Sequence, residues 1–242
     1  MTTSRFVTAA PHVRAVAFSN VTVVLDVVTG TVHALTGDTA HTWVTLSATG
    51  DTHTPRAGHA PQVTDQAVST LLRRGLLIAT PSARPWPPPT TGCESWPSWG
   101  TQDSPAALAP TPHSPVLWHL PALLAVTAAL LIRQAGPRRH RFSRLRRLAL
   151  TTRPSRTPVN AATAQNIVRA VRRVGRIVPA RVACLEQSAA VMLILKVWGY
   201  GAQWKHGVAT DPVRLHAWIE VNGSPIEESA DIIDYTPFQE HI

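Results

Sequence analysis

The chain has 242 residues, with 23 Lys+Arg against 14 Asp+Glu and a sequence pI near 11.1, enough length for one large or two small domains. Apolar residues make up 44% of it, so a wholly disordered, collagenous or polar low-complexity chain is excluded, because enough apolar surface exists to offset the entropy of ordering. The charge is unevenly placed: no acidic residue lies between Asp103 and Glu186, and that stretch carries 14 of the 21 arginines. Such a field attracts acidic peptides, nucleic acid or anionic lipid, and composition does not choose among them.

Met1 to Pro11 is polar with one Arg and lacks the basic-then-apolar signature of a secretory signal, so a cytoplasmic, thiol-reducing location is expected. Three short strands are predicted over Val13–Phe18, Val21–Val28 and Thr31–Leu35, separated by the turn signals Ser19-Asn20 and Thr29-Gly30. Asp38–Leu46 offers an N-cap Asp followed by Ala40, Trp43, Val44 and Leu46 at helical spacing. A second helix is predicted over Thr64–Leu77, with Val68, Leu71, Leu72 and Leu76 on one face and Gly75 as its stop signal. Residues 1–80 thus read as one small α+β unit.

From Pro81 to Pro115 there are ten prolines in 35 residues, with Trp86, Trp96 and Trp99 among them, which predicts an extended, solvated linker over 81–115. Cys93 lies inside it and reads as a bystander. Two cysteines in such different surroundings exclude a disulfide framework, and Cys184 is available as a thiol. The most apolar run is Val116–Ile132, 17 residues at the short limit for crossing a bilayer, followed by the arginine-rich RQAGPRRHRFSRLRR. Pro121 leaves about 11 uninterrupted residues, so a core or dimerising helix is favoured and membrane contact through 116–132 is the alternative. Basic amphipathic helices are predicted over Phe142–Leu150 and Ala161–Arg173, and no period of about 20 to 50 residues repeats.

The last third carries the chemistry. In RVACLEQSAAVMLILKVWGYG, Cys184 precedes a helical run that stops at Gly199 and Gly201, so the thiol falls in the first turn. A helix N-terminus lowers a thiol's pKa, and its N–H groups suit a developing oxyanion; Glu186 would oppose the first effect unless it points away. LHAWIEVNGSPIEE reads as strand, Asn-Gly type I′ turn, strand. Alternation puts Leu215, Ala217, Ile219 and Val221 on a core-like face and His216, Trp218 and Glu220 on the other. A Cys at a helix start with a His on a downstream strand is the arrangement of nucleophilic cysteine hydrolases, the His acting as base and then acid. Through a two-residue turn Trp218 pairs with Glu227, which places Glu227 on the His216 face and Glu228 opposite; a bulge would exchange them. Asp231 and Asp234 are less constrained. No metal-ligand spacing stands out among the 11 histidines, and no cofactor is expected.

RVACLEQS together with GVATDPVRLHAWIEVNG resembles the transglutaminase-like cysteine peptidase of lasso peptide biosynthesis, the B protein. The resemblance runs from about Leu117 to Tyr235-Thr236-Pro237. It implies a transglutaminase-like (papain-like) domain over 116–242 with a Cys-His-Asp triad, in which Cys184 and His216 take the first two places. Glu227-Glu228 stand where the Asp is expected; the family's spacing favours Glu228 and strand parity Glu227. Residues 13–80 resemble the winged-helix-like recognition element of ribosomally made peptide systems, similar to the coenzyme PQQ synthesis protein D family. In those modules a leader peptide adds as a strand beside the third strand. Carried onto this chain, that implies a receiving edge at Thr31, Val32, His33, Ala34 and Leu35, with Leu71, Leu72 and Leu76 as groove residues.

The function so implied is leader removal from a ribosomal precursor peptide, with the new amine passed to an ATP-dependent lasso cyclase related to asparagine synthetase. Residues 133–181 would dock that cyclase or the precursor, or simply present solvated helix faces. Transfer of the acyl group to an amine, as in a true transglutaminase, uses the same residues. A winged-helix nucleic-acid-binding regulator is the other alternative, less favoured because the arginines lie mainly outside residues 1–80; no nucleic-acid partner is expected.

Overall fold

The computed structural model describes residues 4–53, 61–94, 113–150, 157–210 and 212–239. Two compact units emerge, Met1–Glu94 with Phe238–Ile242, and Ser95–Pro237. Helices and sheets are mixed in both.

In the first unit β1 (Phe6–Ala9), β2 (Val13–Ala17), β3 (Val21–Asp26) and β4 (Val32–Thr36) precede α1 (Gly37–Thr49), α2 (Pro61–Arg73), β5 (Leu77–Thr80) and β6 (Thr90–Thr91). The three predicted strands are present, with antiparallel pairs from Val13↔Asp26 to Ala17↔Thr22 and from Val21↔Thr36 to Leu25↔Val32. Sheet order is β4-β3-β2-β6, so β4 lies at an edge. The second helix stops at Gly75, whose φ of 69° is left-handed. There Leu76 N–H donates to Leu71 O and Gly75 N–H to Leu72 O, the paired bonds that satisfy the last carbonyls of a helix. This turn redirects the chain, so Leu77, expected at the helix end, begins a strand that pairs with β1 from Ala9↔Leu77 to Phe6↔Thr80. The core holds Val7, Leu35, Trp43, Leu46, Leu71 and Leu76.

Residues 81–94 depart from the expected solvated linker. Trp86 N–H donates to Ser47 O at 2.9 Å, and its ring meets Trp43 edge-on with centroids 5.8 Å apart. Thr90–Thr91 then pairs with β2 in parallel. The indole area available for burial outweighs the proline-rich composition. Trp96, Trp99 and the rest of the linker up to residue 112 lie outside the described residues.

The second unit contains α3 (His119–Gln134), α4 (Arg141–Leu150), β7 (Thr157–Pro158), α5 (Ala161–Ile177), α6 (Cys184–Val197), β8 (Tyr200–Gly201), β9 (Gln203–Ala209), β10 (Arg214–Val221), β11 (Ser224–Pro225) and β12 (Thr236–Pro237). Helix α6 is central, packed by α3, α4 and α5 and by the sheet β11-β10-β9-β12. The core runs through Ala125, Ala129, Ile167, Val171, Ala190, Ile194 and Ile219. In α5 the sequence does this directly, since Ala164, Ile167, Val168, Val171 and Val174 recur at three and four residues and all are buried.

The apolar run behaves as a core helix on one face only. Ala122, Ala125, Val126 and Ala129 are buried, while Leu120, Leu124 and Leu131 are exposed at 65%, 63% and 62%. With its preceding turn, Val116–Gln134 is long and apolar enough to cross a membrane, and a third of it is buried.

Candidate active site

Helix α6 begins at Cys184, as its sequence predicts. The preceding Ala183 has no side-chain acceptor, and the cap comes instead from Glu186, which accepts the Ala183 N–H at 3.0 Å. Glu186 is 5% exposed and pairs with Arg133 of α3 at 3.0 Å. Its charge is therefore matched by a guanidinium and a backbone donor, which answers the objection that it would disfavour a thiolate beside it. One turn on, Ser188 donates to Cys184 O at 2.7 Å and accepts from Trp204 Nε1 at 2.9 Å, fastening the first turn of α6 to β9.

His216 arrives from β10. Asn222 and Gly223 both have positive φ, 52° and 77°, and the register Val221↔Ser224, Glu220↔Pro225 encloses them as a two-residue turn. Strand parity would then aim Glu227 at His216. It does not, because regular pairing ends at Pro225 and Glu227 takes a left-handed φ of 57°. Glutamate in that region costs about 1–3 kcal/mol and persists only when its surroundings hold it. The consequence is that Glu228, not Glu227, meets the histidine, with His216 Nε2 donating to Glu228 Oε2 at 2.9 Å. Glu227 instead accepts from Arg169 at 2.8 Å. Asp231 accepts from Ser229, and no contact joins Asp231 or Asp234 to His216 among the described hydrogen bonds.

The core-like face of β10 is as expected at Ala217, Ile219 and Val221, but Leu215 is 47% exposed and Trp218 of the opposite face is buried. Trp218 packs over Gly207: a Cβ there would come within 2.6 Å of its ring and 3.0 Å of Thr236 O. The indole in turn stacks on His216, with centroids 5.9 Å apart and planes 11° from parallel, and Tyr235 covers another side at 5.3 Å. The imidazole is thus held by two rings and a carboxylate.

Cys184, His216 and Glu228 line one pocket. Burial pushes the Cys184 thiol up, but the His216 hydrogen bond, the N–H groups of Ala217 and Leu185 and the imidazolium charge outweigh it, and the net shift is downward. Burial lowers His216, yet its bonds and charge interactions with Cys184 and Glu228 raise it to about 9. A thiolate–imidazolium pair is the state these groups favour. Nearby His206 is different: burial, with Arg146 adding to it, holds it at about 4, so it is neutral between Trp204 and Phe142. Cys93 is exposed and stands apart in the sequence and in the first unit. Among the described residues no cluster of three or more His, Cys, Asp or Glu is arranged to hold a metal.

The residues singled out in the first unit divide in two. Val32, His33, Ala34 and Leu35 lie on the edge strand β4, with Thr31 just before it. Leu35, Leu71 and Leu76 are buried in the core at 1%, 0% and 1%, so they support the edge from beneath rather than line an open groove. Leu72 is half-buried. Burial, with the charge of Arg74 adding to it, lowers the pKa of His33. The Arg133–Glu186 pair and the two arginines at Glu227 and Glu228 carry no local sequence signal, because each joins groups about 50 residues apart.

A half-buried thiol at a helix N-terminus, a histidine on the adjacent strand and a carboxylate bonded to that histidine are the groups that nucleophilic cysteine chemistry uses. Residues 123–240 match the family model described as the Transglutaminase-like superfamily, so this stretch is a transglutaminase-like domain, of a kind that is typically cysteine-protease-like. No curated protein and no solved structure matches the chain.

Proposed function

We propose that the protein is a leader peptidase of lasso peptide maturation, in which Cys184, His216 and Glu228 hydrolyse the leader–core bond of a ribosomal precursor and the first unit binds its leader. The observation that carries the chemistry is the meeting of Cys184, His216 and Glu228 in one pocket at the start of α6, with His216 hydrogen-bonded to Glu228. The thiolate attacks the scissile carbonyl carbon, and the His216 imidazolium gives its proton to the departing amine nitrogen, leaving a thioester on Cys184. Neutral His216 then takes a proton from water, whose oxygen attacks the thioester carbon and releases the leader as a carboxylate with the thiolate restored. Glu228 keeps the ring oriented through both proton transfers. The free amine of the core is the nucleophile that an ATP-dependent, asparagine-synthetase-like cyclase needs.

Leader binding rests on the resemblance of residues 13–80 and on the edge position of β4. An added strand would draw affinity from backbone hydrogen bonds and selectivity from alternate side chains such as Val32 and Ala34. Tethering both functions on one chain would raise the local concentration of the cleavage site to about millimolar. The test incubates the full chain with a linear precursor peptide and follows its mass. Wild type is expected to give two hydrolytic fragments and Cys184→Ala none, a loss of at least about a thousandfold. Trimming at the wild-type rate by the alanine variant would falsify the proposal.

A further inference from the structure

The reversal at Glu227 needs a cause, since an ordinary continuation of the hairpin would turn Glu228 away from His216. Helix α5 supplies it. Arg169 donates to Glu227 Oε1 at 2.8 Å; Arg172 donates through one nitrogen to the Glu227 carbonyl oxygen and through the other to Glu228 Oε1 at 2.8 Å. Arg172 therefore holds the carbonyl of the left-handed residue and the carboxylate of the residue after it, and leaves Oε2 for His216. The two arginines are three residues apart, so they share a face of α5, and both are half-buried rather than solvated. A planar fork suits this double task better than an ammonium, because two donors at fixed separation meet two acceptors that also have fixed separation.

We infer that Arg172, with Arg169 beside it, is the positioning residue of the site: it locks Glu227 in its left-handed conformation and thereby presents Glu228 to His216. This rests on the Cys184–His216–Glu228 reading. The two arginines come from the acid-free stretch, and they work through Glu228 without touching the reacting atoms.

The test needs no substrate. In the full chain carrying Cys93→Ser, Cys184 is the one remaining thiol, and its alkylation by iodoacetamide is followed against pH. The parent is expected to show a thiol inflection below the ordinary cysteine value and a second inflection near 9 from His216. Arg172→Met is expected to move the first upward and the second downward, with reactivity at pH 6 falling about tenfold to a hundredfold, the range of a small misplacement of a catalytic group. Arg172→Lys, which keeps the charge and most of the stem, is expected to restore less than half of that loss. Arg169→Met is expected to lose less, and adding Glu227→Gly to it to recover the parent profile, because glycine takes a positive φ without being held. That recovery is not expected of a residue serving only stability. An unchanged profile in folded Arg172→Met and Arg172→Lys overturns the inference. A parent with no depressed thiol overturns the active-site reading itself, and the inference with it.

Discussion

The two ends of α6 are built on opposite terms. At the N-terminus, Glu186 and Ser188 are buried polar groups, each 5% exposed, and each is matched by named donors and acceptors from α3, β9 and the helix itself. At the C-terminus, Val197 and Trp198 are 71% and 46% exposed and, with Leu120 and Leu124 of α3, border an apolar hollow of about 370 Å³. Polar groups taken out of water are costly unless fully paired, so the matched network at the first end fixes the position of Cys184 within narrow limits. The other end is held chiefly by non-directional apolar contact, Trp118 against Trp198 included, with one directed bond from Lys196 Nζ to Leu148 O at 3.3 Å, and is fixed less closely. The same helix is therefore specified where chemistry needs geometry and left loose where it does not.

Breaking the specified end should cost most. Glu228→Gln keeps the shape but removes the charge behind His216, and kcat/KM is expected to fall about a hundredfold or more. The pH profile gives the sign: His216 is raised to about 9, so the active ion pair persists up to that pH and is lost above it as the imidazolium deprotonates. In the Gln variant the alkaline limb should move down toward the ordinary histidine value of 6.5. The same shift contributes stability that is fully present below 6.5 and lost as pH rises through about 9, so the parent's denaturation midpoint should decline over that window more than the variant's.

Next in size is Arg133→Met, which leaves the Glu186 carboxylate buried without its cation; a loss of about 3 kcal/mol in urea unfolding is expected, with a smaller loss if Glu186→Gln is added. Gly207→Ala pushes on Trp218 and through it on His216, so about 1–3 kcal/mol of stability should go together with activity. At the loose end, Leu124→Gln or Val197→Ser should change stability by no more than about 0.5 kcal/mol and leave kcat/KM unaltered. A large catalytic effect there would erase the contrast between the two ends.

Much of this was legible in the chain, and what was not has a common cause. Cys184 and His216 could be read because each is set by a local signal: a helical run closed by Gly199 in one case, and in the other an Asn-Gly turn whose two residues both take positive φ. Gly75 likewise marked its own helix end. Glu228 could not be separated from Glu227 by alternation, because one left-handed glutamate redirects the side chain that follows it and nothing in its own sequence announces it. The pairings that hold that glutamate, like β1 with β5 and Trp86 with Trp43, join segments far apart in the chain and become visible only in the folded unit. The basic composition resolved in the same way, with Arg133, Arg169 and Arg172 each spent on a particular carboxylate.

Water is the proposed final acceptor of the acyl group held by Cys184. Digestion of a linear precursor by the full chain in 18O-water containing a primary amine, read by mass spectrometry, tests this directly. The expected product is a released leader carrying one heavy oxygen in its new carboxylate, with Cys184→Ala releasing none. A leader bearing the amine in place of that oxygen, or cleavage undiminished in the alanine variant, would contradict it.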